Sequence, residues 1–384
     1  MRTTRTRHVF FVGIDVDSLG GSQRVIHTLA QGLGGRGHRV EVVGIRTAPE
    51  PFRYHDEPTY EHTTLYPDTP AAAWHAKSLT ERLSPTRNLS ARRNKAARTE
   101  ARAKLQARFD AVPEGFVVFG SPWAADWVLP LHWPQLKGIG QYHESFLQAR
   151  TSENKDLILR HYPLMSKALF LSQGDADEFT RLRLPNAGVM PNPLSFYPDA
   201  VAPAGTRRVA AVGRLEGIKR LERLLWAFAE ATRDAHQDWE LHLMGDGPQE
   251  DYLRETAVEL GIADRVIFRG RVSDMSRALR EVDIVALSSE KEGRPMALAE
   301  AAACGVPVVS FDLSAGVREL VDDGVTGVLV PSGDMPALAR ALERLIADPE
   351  LRCTYGKAAR EHVRPYALEA VLDRWEDLFD EIDR

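Results

Sequence analysis

Short, nearly unbroken apolar runs alternate with amphipathic helical stretches along this chain, and the alternation stops once and then restarts. The runs HVFFVGI (8–14), RVEVVGI (39–45), FVVFG (116–120), KGIGQYH (137–143), KALFLS (167–172) and GVMP (188–191) come first. The stretch PLSFYPDAVAPAGT (193–206) then breaks the pattern with three prolines and a glycine. RRVAAVG (207–213), WELHLMG (239–245), RVIFR (265–269), DIVALS (283–288), VPVVSF (306–311) and GVLVP (327–331) resume it. Strands that are apolar along their whole length are buried on both faces, which requires parallel sheets covered by helices. At 384 residues the chain is also too long for one compact core. The expected architecture is α/β, with two doubly wound, Rossmann-like domains facing a cleft. The first spans 1–194, a linker 195–206 and the second 207–365. The tail 366–384 contains an amphipathic helix, with Leu368, Val371, Leu372, Trp375, Leu378, Phe379 and Ile382 on one stripe. That stripe must be buried on its own domain or back across the linker on the first.

Composition removes several classes. Forty-three per cent hydrophobic residues are too many for a mainly disordered chain. Two cysteines, Cys304 and Cys353, cannot staple a secreted disulfide scaffold and have no metal-type spacing. A net charge of −5 gives no general attraction to nucleic acid, so no nucleic-acid partner is expected. The start, MRTTRTRHVFFVGID, meets an acid too soon for a signal peptide or membrane span. A cytoplasmic protein is the expectation.

Two familiar motifs fail on context. Gly32, Gly34 and Gly37 match G-x-G-x-x-G, but they follow a helix and precede a strand, whereas the dinucleotide fingerprint feeds a strand into a helix. A helix C-cap with a tight turn explains them. Asp15-Val-Asp17 resembles a cation-holding D-x-D, yet two carboxylates alone rarely hold a divalent ion. No metal and no cofactor are expected.

The residues that carry chemistry lie mainly in the second half. Gly213-Arg214-Leu215 stands where a buried strand ends, and Lys219 follows at the expected start of a helix. Arg214 and Lys219 can converge on phosphate oxygens, or they are two solvated charges. Downstream, Glu292-Gly-Arg-Pro-Met-Ala-Leu-Ala-Glu300 follows another strand. Pro295 suits the first helical position, so the amides of Met296 and Ala297 point to the sheet's carboxyl edge and form an anion site. Glu300 then falls inside that helix, within reach of the same crevice. Carboxylates beside a phosphate site suit a ligand with vicinal hydroxyls. A capping Glu292 and a surface Glu300 are the plainer reading.

VGRL…K at 212–219, MGDGP at 244–248, FRGRV at 268–272 and the E-x7-E of EGRPMALAEA at 292–301 together resemble the donor half of retaining GT-B glycosyltransferases of family four, the glycosyl transferases group 1. AAACGVPVVSF and VRELVDDGVTGVLVPSGD are similar to that family as well. In the first half the likeness rests on Gly20-Gly21-Ser-Gln-Arg24, His143 at a strand end and the Pro-Asn-Pro turn at 191–193.

The resemblance implies a retaining, metal-independent transfer of a hexose or N-acetylhexosamine from a nucleoside-diphosphate sugar, with uridine diphosphate favoured. Arg214 and Lys219 would neutralise the leaving diphosphate. Glu300 would hold the ribose, Glu292 would orient the transferred sugar, and the amides around Met296 and Ala297 would support the phosphates. Gly213 would let the backbone approach closely. Gly21 would meet the diphosphate from the other domain, His143 would contact the sugar near its reacting face, and Arg271 and Val272 would flank the nucleobase. A nucleotide-sugar epimerase, a phosphorylase or a non-catalytic nucleotide-sugar-binding protein on the same fold are the alternatives.

The acceptor would be a glycan, a lipid-linked saccharide or an anionic polymer. Residues 82–108 bear on it: nine basic residues, among them Arg92, Arg93, Lys95 and Arg98, face the single acid Glu100. Their Ala-rich composition favours helix from Ala91 onward. Three readings are open: a solvated basic helix, a contact with an anionic acceptor, or a peripheral contact with anionic lipid on the inner face of a membrane.

Overall fold

The computed structural model describes residues 5–66, 85–202 and 205–384, with side chains in the helix Pro85–Asp110 described from Arg93 onward. Arg82 and the side chain of Arg92 lie outside the described residues. The first sheet contains β1 (His8–Gly13), β2 (Arg39–Arg46), β3 (Glu61–Tyr66), β4 (Gly115–Phe119), β5 (Leu136–Gln141), β6 (Lys167–Phe170) and β7 (Ala187–Val189). The second contains β8 (Arg208–Val212), β9 (Glu240–Met244), β10 (Val266–Gly270), β11 (Ile284–Leu287), β12 (Val308–Asp312) and β13 (Gly327–Pro331). Their orders are β3-β2-β1-β4-β5-β6-β7 and β10-β9-β8-β11-β12-β13, with every named pairing parallel. Each order reverses once, beside β1 in the first sheet and beside β8 in the second. Ligands of doubly wound sheets bind outside the strands' carboxyl ends at such switch points.

Continuous apolar runs explain the central strands: Val9, Phe10, Phe11 and Val12 of β1 are buried and supply clusters on both faces of the first sheet. β3 escaped the pattern because EHTTLY is an edge strand whose first two side chains are exposed and polar. Lys219 does not open a helix as its sequence position suggested. It ends a single 3₁₀ turn, Gly217–Lys219, and the left-handed Arg220 (φ 49°) separates it from the helix Leu221–Ala231. Pro295 likewise stands one position before its helix, which runs Met296–Ala303, because its ψ of 113° is extended.

Residues 193–202 are no free tether. Ala202 N–H donates to Cys304 O at 2.8 Å and Tyr197 hydroxyl to Arg360 O at 3.1 Å, which lays the segment along the second lobe. The chain crosses between lobes twice, and Leu194 N–H to Tyr366 O (2.7 Å) joins the two crossings. The helix Leu368–Asp383 then packs on the first lobe. Val371, Leu372, Trp375 and Phe379 are fully buried there with Phe11, Leu29 and Phe116. Arg7 pairs with Asp380, and Arg36 with Glu376 at 2.8 Å. Close packing also accounts for two of the misleading glycines, while Gly37 (φ 90°) takes the left-handed turn after the helix Gly21–Gly35. A Cβ on Gly32 would come within 2.6 Å of Leu372, and one on Gly34 within 2.4 Å of Thr59 O, so close packing selects them.

Candidate active site

The turn after β8 lies at the second sheet's switch point. Gly213 leaves room there for Lys219, whose Cε would lie 3.2 Å from a Cβ at that position. Gly245 backs directly onto it, because a Cβ would sit 2.0 Å from Gly213 O. Lys219 Nζ reaches Glu292 Oε1 at 2.7 Å, and the Ser289 hydroxyl donates to the same oxygen at 2.7 Å. Both partners of this pair are mostly sequestered, with side-chain exposures of 25% and 12%. A cation and an acid thus share one wall of the crevice. Arg214 lines the same small pocket, but its guanidinium stands in solvent and pairs with Glu216. The structure therefore does not bring Arg214 and Lys219 to one point.

One turn into the helix Met296–Ala303, Glu300 is buried, at 2% exposure, which excludes the surface-charge reading. It accepts a hydrogen bond from Ser195 Oγ at 2.8 Å and pairs with Arg24 Nη1 of the first lobe at 3.5 Å. Burial pushes its carboxyl above the usual range, while Arg24 and Ser195 pull it back down. Met296 and Ala297 form the opening turn of this helix, half-buried, with Pro295 as its cap.

The opposite wall comes from the first lobe. Gly21 opens the helix Gly21–Gly35, exposed and with nothing within 4 Å of a Cβ placed on it, so the turn presents bare backbone. Tyr54 fixes that turn: its hydroxyl accepts from Gly20 N–H at 3.0 Å and donates to Ser18 O at 2.8 Å, and its ring stacks on His27. His143 follows β5. Its Nδ1 meets Asn192 Oδ1 at 3.2 Å, while its Nε2 is buried with no partner among the described residues. Burial drives its pKa down to about 4, so the ring is neutral near pH 7. The next residues touch the other lobe: a Cβ on Gly293 would meet the backbone of Glu144 and Ser145 at 3.0 Å. Gly293 neighbours Glu292, so this contact brings together, across the cleft, the chain segments that carry His143 and Glu292.

Arg294 bolts the lobes together. Its Nη1 donates to Leu171 O at 3.0 Å and Glu319 Oε2 at 2.6 Å, and the guanidinium lies 4.1 Å over the Tyr366 ring. Arg271 is exposed at the rim, bonded to Asp246 at 2.6 Å and 3.7 Å from Glu50 of the first lobe, which raises its already high pKa; Val272 behind it is half-buried. Asp17 is absorbed by the fold, accepting from Ala48 N–H at 2.8 Å, and Asp15 faces Arg46 at 3.9 Å. Among the described residues no group of three or more His, Cys, Asp or Glu is placed to hold a metal ion.

Sequence reasoning quoted Arg24, Asn192 and Arg294 only as parts of motifs, without a role, and did not single out Tyr54 or Ser195. Ser195 and Asn192 sit in Pro-rich segments that read as punctuation. Tyr54 lies in a loop without periodicity, and Arg294 is an isolated charge between Gly and Pro. None of these residue types announces a partner from a distant part of the chain.

Residues 198–362 match the glycosyl transferases group 1 family model. An exopolysaccharide phosphotransferase from Streptomyces coelicolor is 34% identical over 52% of this chain and 21% of its own length. The N-acetyl-alpha-D-glucosaminyl L-malate synthase of Bacillus anthracis is 32% identical over 45% of each chain. This chain spans about half the length, or less, of these curated relatives. Among solved structures, a TarM mutant from S. aureus in complex with fondaparinux, alpha-GlcNAc-glycerol and UDP superimposes with a TM-score of 0.78 at 14% identity, covering 97% of this chain and all of its own. HepE from Anabaena in complex with UDP gives 0.73 at 19% identity, covering 97% and 100%. These likenesses establish the two-lobed GT-B arrangement.

Proposed function

From the premise that residues 198–362 are a glycosyl transferases group 1 domain set in a two-lobed GT-B fold, we propose that this protein transfers a sugar from a nucleoside-diphosphate donor to an acceptor hydroxyl, retaining the anomeric configuration and using no divalent metal. The observation that carries this reading is the wall formed by Lys219, Glu292 and the buried Glu300, with the unpartnered Nε2 of His143 opposite. Breaking the anomeric bond places negative charge on the departing phosphate and positive charge on the sugar. Lys219 and the first-turn amides of Met296 and Ala297 stabilise the former as fixed donors, and the solvent-exposed Arg214 adds positive charge from further off. Glu300 accepts from the ribose, and Glu292 orients the sugar through its hydroxyls. Neutral His143 has Nε2 available for the donor sugar near its reacting face. In the step we favour, the acceptor hydroxyl attacks from the leaving group's side and its proton passes to the departing phosphate. Gly213 keeps the turn open, Gly21 approaches the diphosphate, and Arg271 and Val272 flank the base. Uridine diphosphate is the favoured carrier; among the structural neighbours, TarM and HepE were crystallised with UDP.

The acceptor belongs to the first lobe. A 26-residue helix, Pro85–Asp110, is about 39 Å long at 1.5 Å per residue. It packs on the lobe through Ala97, Ala101, Leu105 and Phe109. Arg93, Lys95 and Arg98 are exposed, and Arg98 lies beside Tyr66, the last residue of β3, at the strand end where doubly wound sheets take their ligands. That placement favours an anionic glycan or phosphate-polymer acceptor over a purely solvated helix. No helix among the described residues is long and apolar enough to cross a membrane.

Release of nucleoside diphosphate from a panel of donor sugars, with and without acceptor and in excess chelator, tests the reading, with product NMR for the anomeric configuration. Acceptor-dependent release that survives chelation and retains configuration is expected. Complete loss with chelator, restored by manganese, would bring Asp15 and Asp17 back as ligands. Product inverted at the anomeric carbon would overturn same-face attack.

A further inference from the structure

Charge in the crevice is poorly matched to a diphosphate if only the second lobe is counted. Lys219 is neutralised by Glu292, Arg214 is paired with Glu216, and Glu300 adds a third carboxylate. Three acids against two cations repel a group that arrives with at least two negative charges. The missing cation stands in the first lobe. Arg24 rises from the first turn of the helix Gly21–Gly35, directly after the Gly20–Gly21 turn, and reaches Glu300 across the cleft at 3.5 Å.

That contact is loose for a charged pair, since good ammonium- or guanidinium-to-carboxylate bonds are about 2.7–2.9 Å. Arg24 keeps 41% of its side chain exposed, and Glu300 is its one ion-pair partner among the described residues. Glu300 by contrast is buried and receives one short bond, from Ser195. A carboxylate has about four acceptor directions, so Glu300 has capacity left for two vicinal hydroxyls. Arg24 serves as the counter-ion of an under-satisfied buried acid.

We infer that Arg24 is a diphosphate ligand contributed by the first lobe and parked on Glu300 until the donor arrives. This rests on the donor reading above and deepens it. When ribose hydroxyls take the free directions of Glu300, the acid no longer needs the guanidinium. The diphosphate attached to that ribose lies between Glu300 and the Gly20–Gly21 turn, the interval Arg24 already spans. Its five donors in a fixed fork suit phosphate oxygens better than a single distant carboxylate oxygen. One side chain thus links nucleoside recognition in the second lobe to phosphate recognition by the first. The exchange also holds the lobes together in both states.

The test compares two ligands on one full-length protein: uridine and UDP, or guanosine and GDP if the wild type prefers them, titrated onto wild type, Arg24→Gln and Arg24→Lys. Arg24→Gln should weaken nucleoside diphosphate by about tenfold or more, the scale of losing a charged hydrogen bond. Affinity for the bare nucleoside should stay the same or improve, because Glu300 is freed. Arg24→Lys should recover part of the loss. Equal weakening of both ligands, or no change in either, overturns the inference; a thermal melt of each variant identifies one that has simply unfolded. A wild-type protein that binds no nucleoside diphosphate overturns the donor assignment instead, and that result is distinct from any difference between the variants.

Discussion

The two lobes are built on the same wound sheet but equip the cleft in different ways. In the second lobe the chemistry lies in two short motifs, each local in sequence. Lys219 follows β8 by seven residues, Glu292 precedes one short helix and Glu300 lies inside it, and Ser289 supports Glu292 from three residues away. In the first lobe nothing is local. The Gly20 turn is pinned by Tyr54, His143 is oriented by Asn192, and the sheet's outer face is closed by a helix from the far end of the chain. A site written within one stretch of chain is readable as a motif. A site assembled by long-range packing is not, and it fails when the packing fails.

Lys219→Ala should break the second lobe's side of this contrast most severely. Losing a preorganised donor to a departing oxyanion costs ~2.7–4 kcal/mol, or roughly 10²–10³ in kcat, while the fold persists. Arg214→Ala should cost less, because that guanidinium stands in solvent on Glu216. Steady-state kinetics of both variants measures the order. A larger loss at Arg214 would mean that the donor draws it inward.

Trp375→Ala probes the first lobe's dependence on distant chain. The ring is fully buried, edge-on to Phe11, and large aromatic truncations cost ~3–5 kcal/mol. The denaturant midpoint should fall accordingly, with weaker protection of amides in β1 and the helix Gly21–Gly35 than in the second sheet. Uniform loss across both lobes would show that they unfold as one unit.

Acid should loosen the first lobe next. His27 and His143 are both held down to about 4 by burial, against ~6.5 in an unfolded chain. Between those values the unfolded chain binds protons that the folded chain does not. Stability from these two groups is therefore complete above pH ~6.5 and lost as pH falls towards 4, by up to about 1.4 kcal/mol per pH unit for each. Denaturation at pH 7, 5.5 and 4.5 should show that slope, and it should be shallower in His143→Gln.

The smallest effect on stability, within about 0.5 kcal/mol, is expected when Arg93, Lys95 and Arg98 are changed together to Gln, since all three are exposed. Their acceptor should bind more weakly and with less salt dependence. Unchanged acceptor affinity would leave a solvated helix.

The sequence by itself determined the α/β class, the restart after the Pro-rich segment and the Glu292…Glu300 spacing, because these depend on local hydrophobic periodicity and on residues within a few helical turns of one another. It also rejected Gly32, Gly34 and Gly37 as a nucleotide fingerprint, although only the structure gave the physical reasons, packing against Leu372 and Thr59 for the first two and a left-handed turn for Gly37. The tertiary structure decided where Leu368–Asp383 docks, that Arg214 turns away while Lys219 bonds Glu292, and that Glu300 is buried against Arg24 and Ser195. Each of those outcomes turns on which distant surface supplies the partner for an apolar stripe or a charge. Sequence spacing carries no record of that choice, because residues 276 positions apart meet only once both sheets have formed and the lobes have closed on each other.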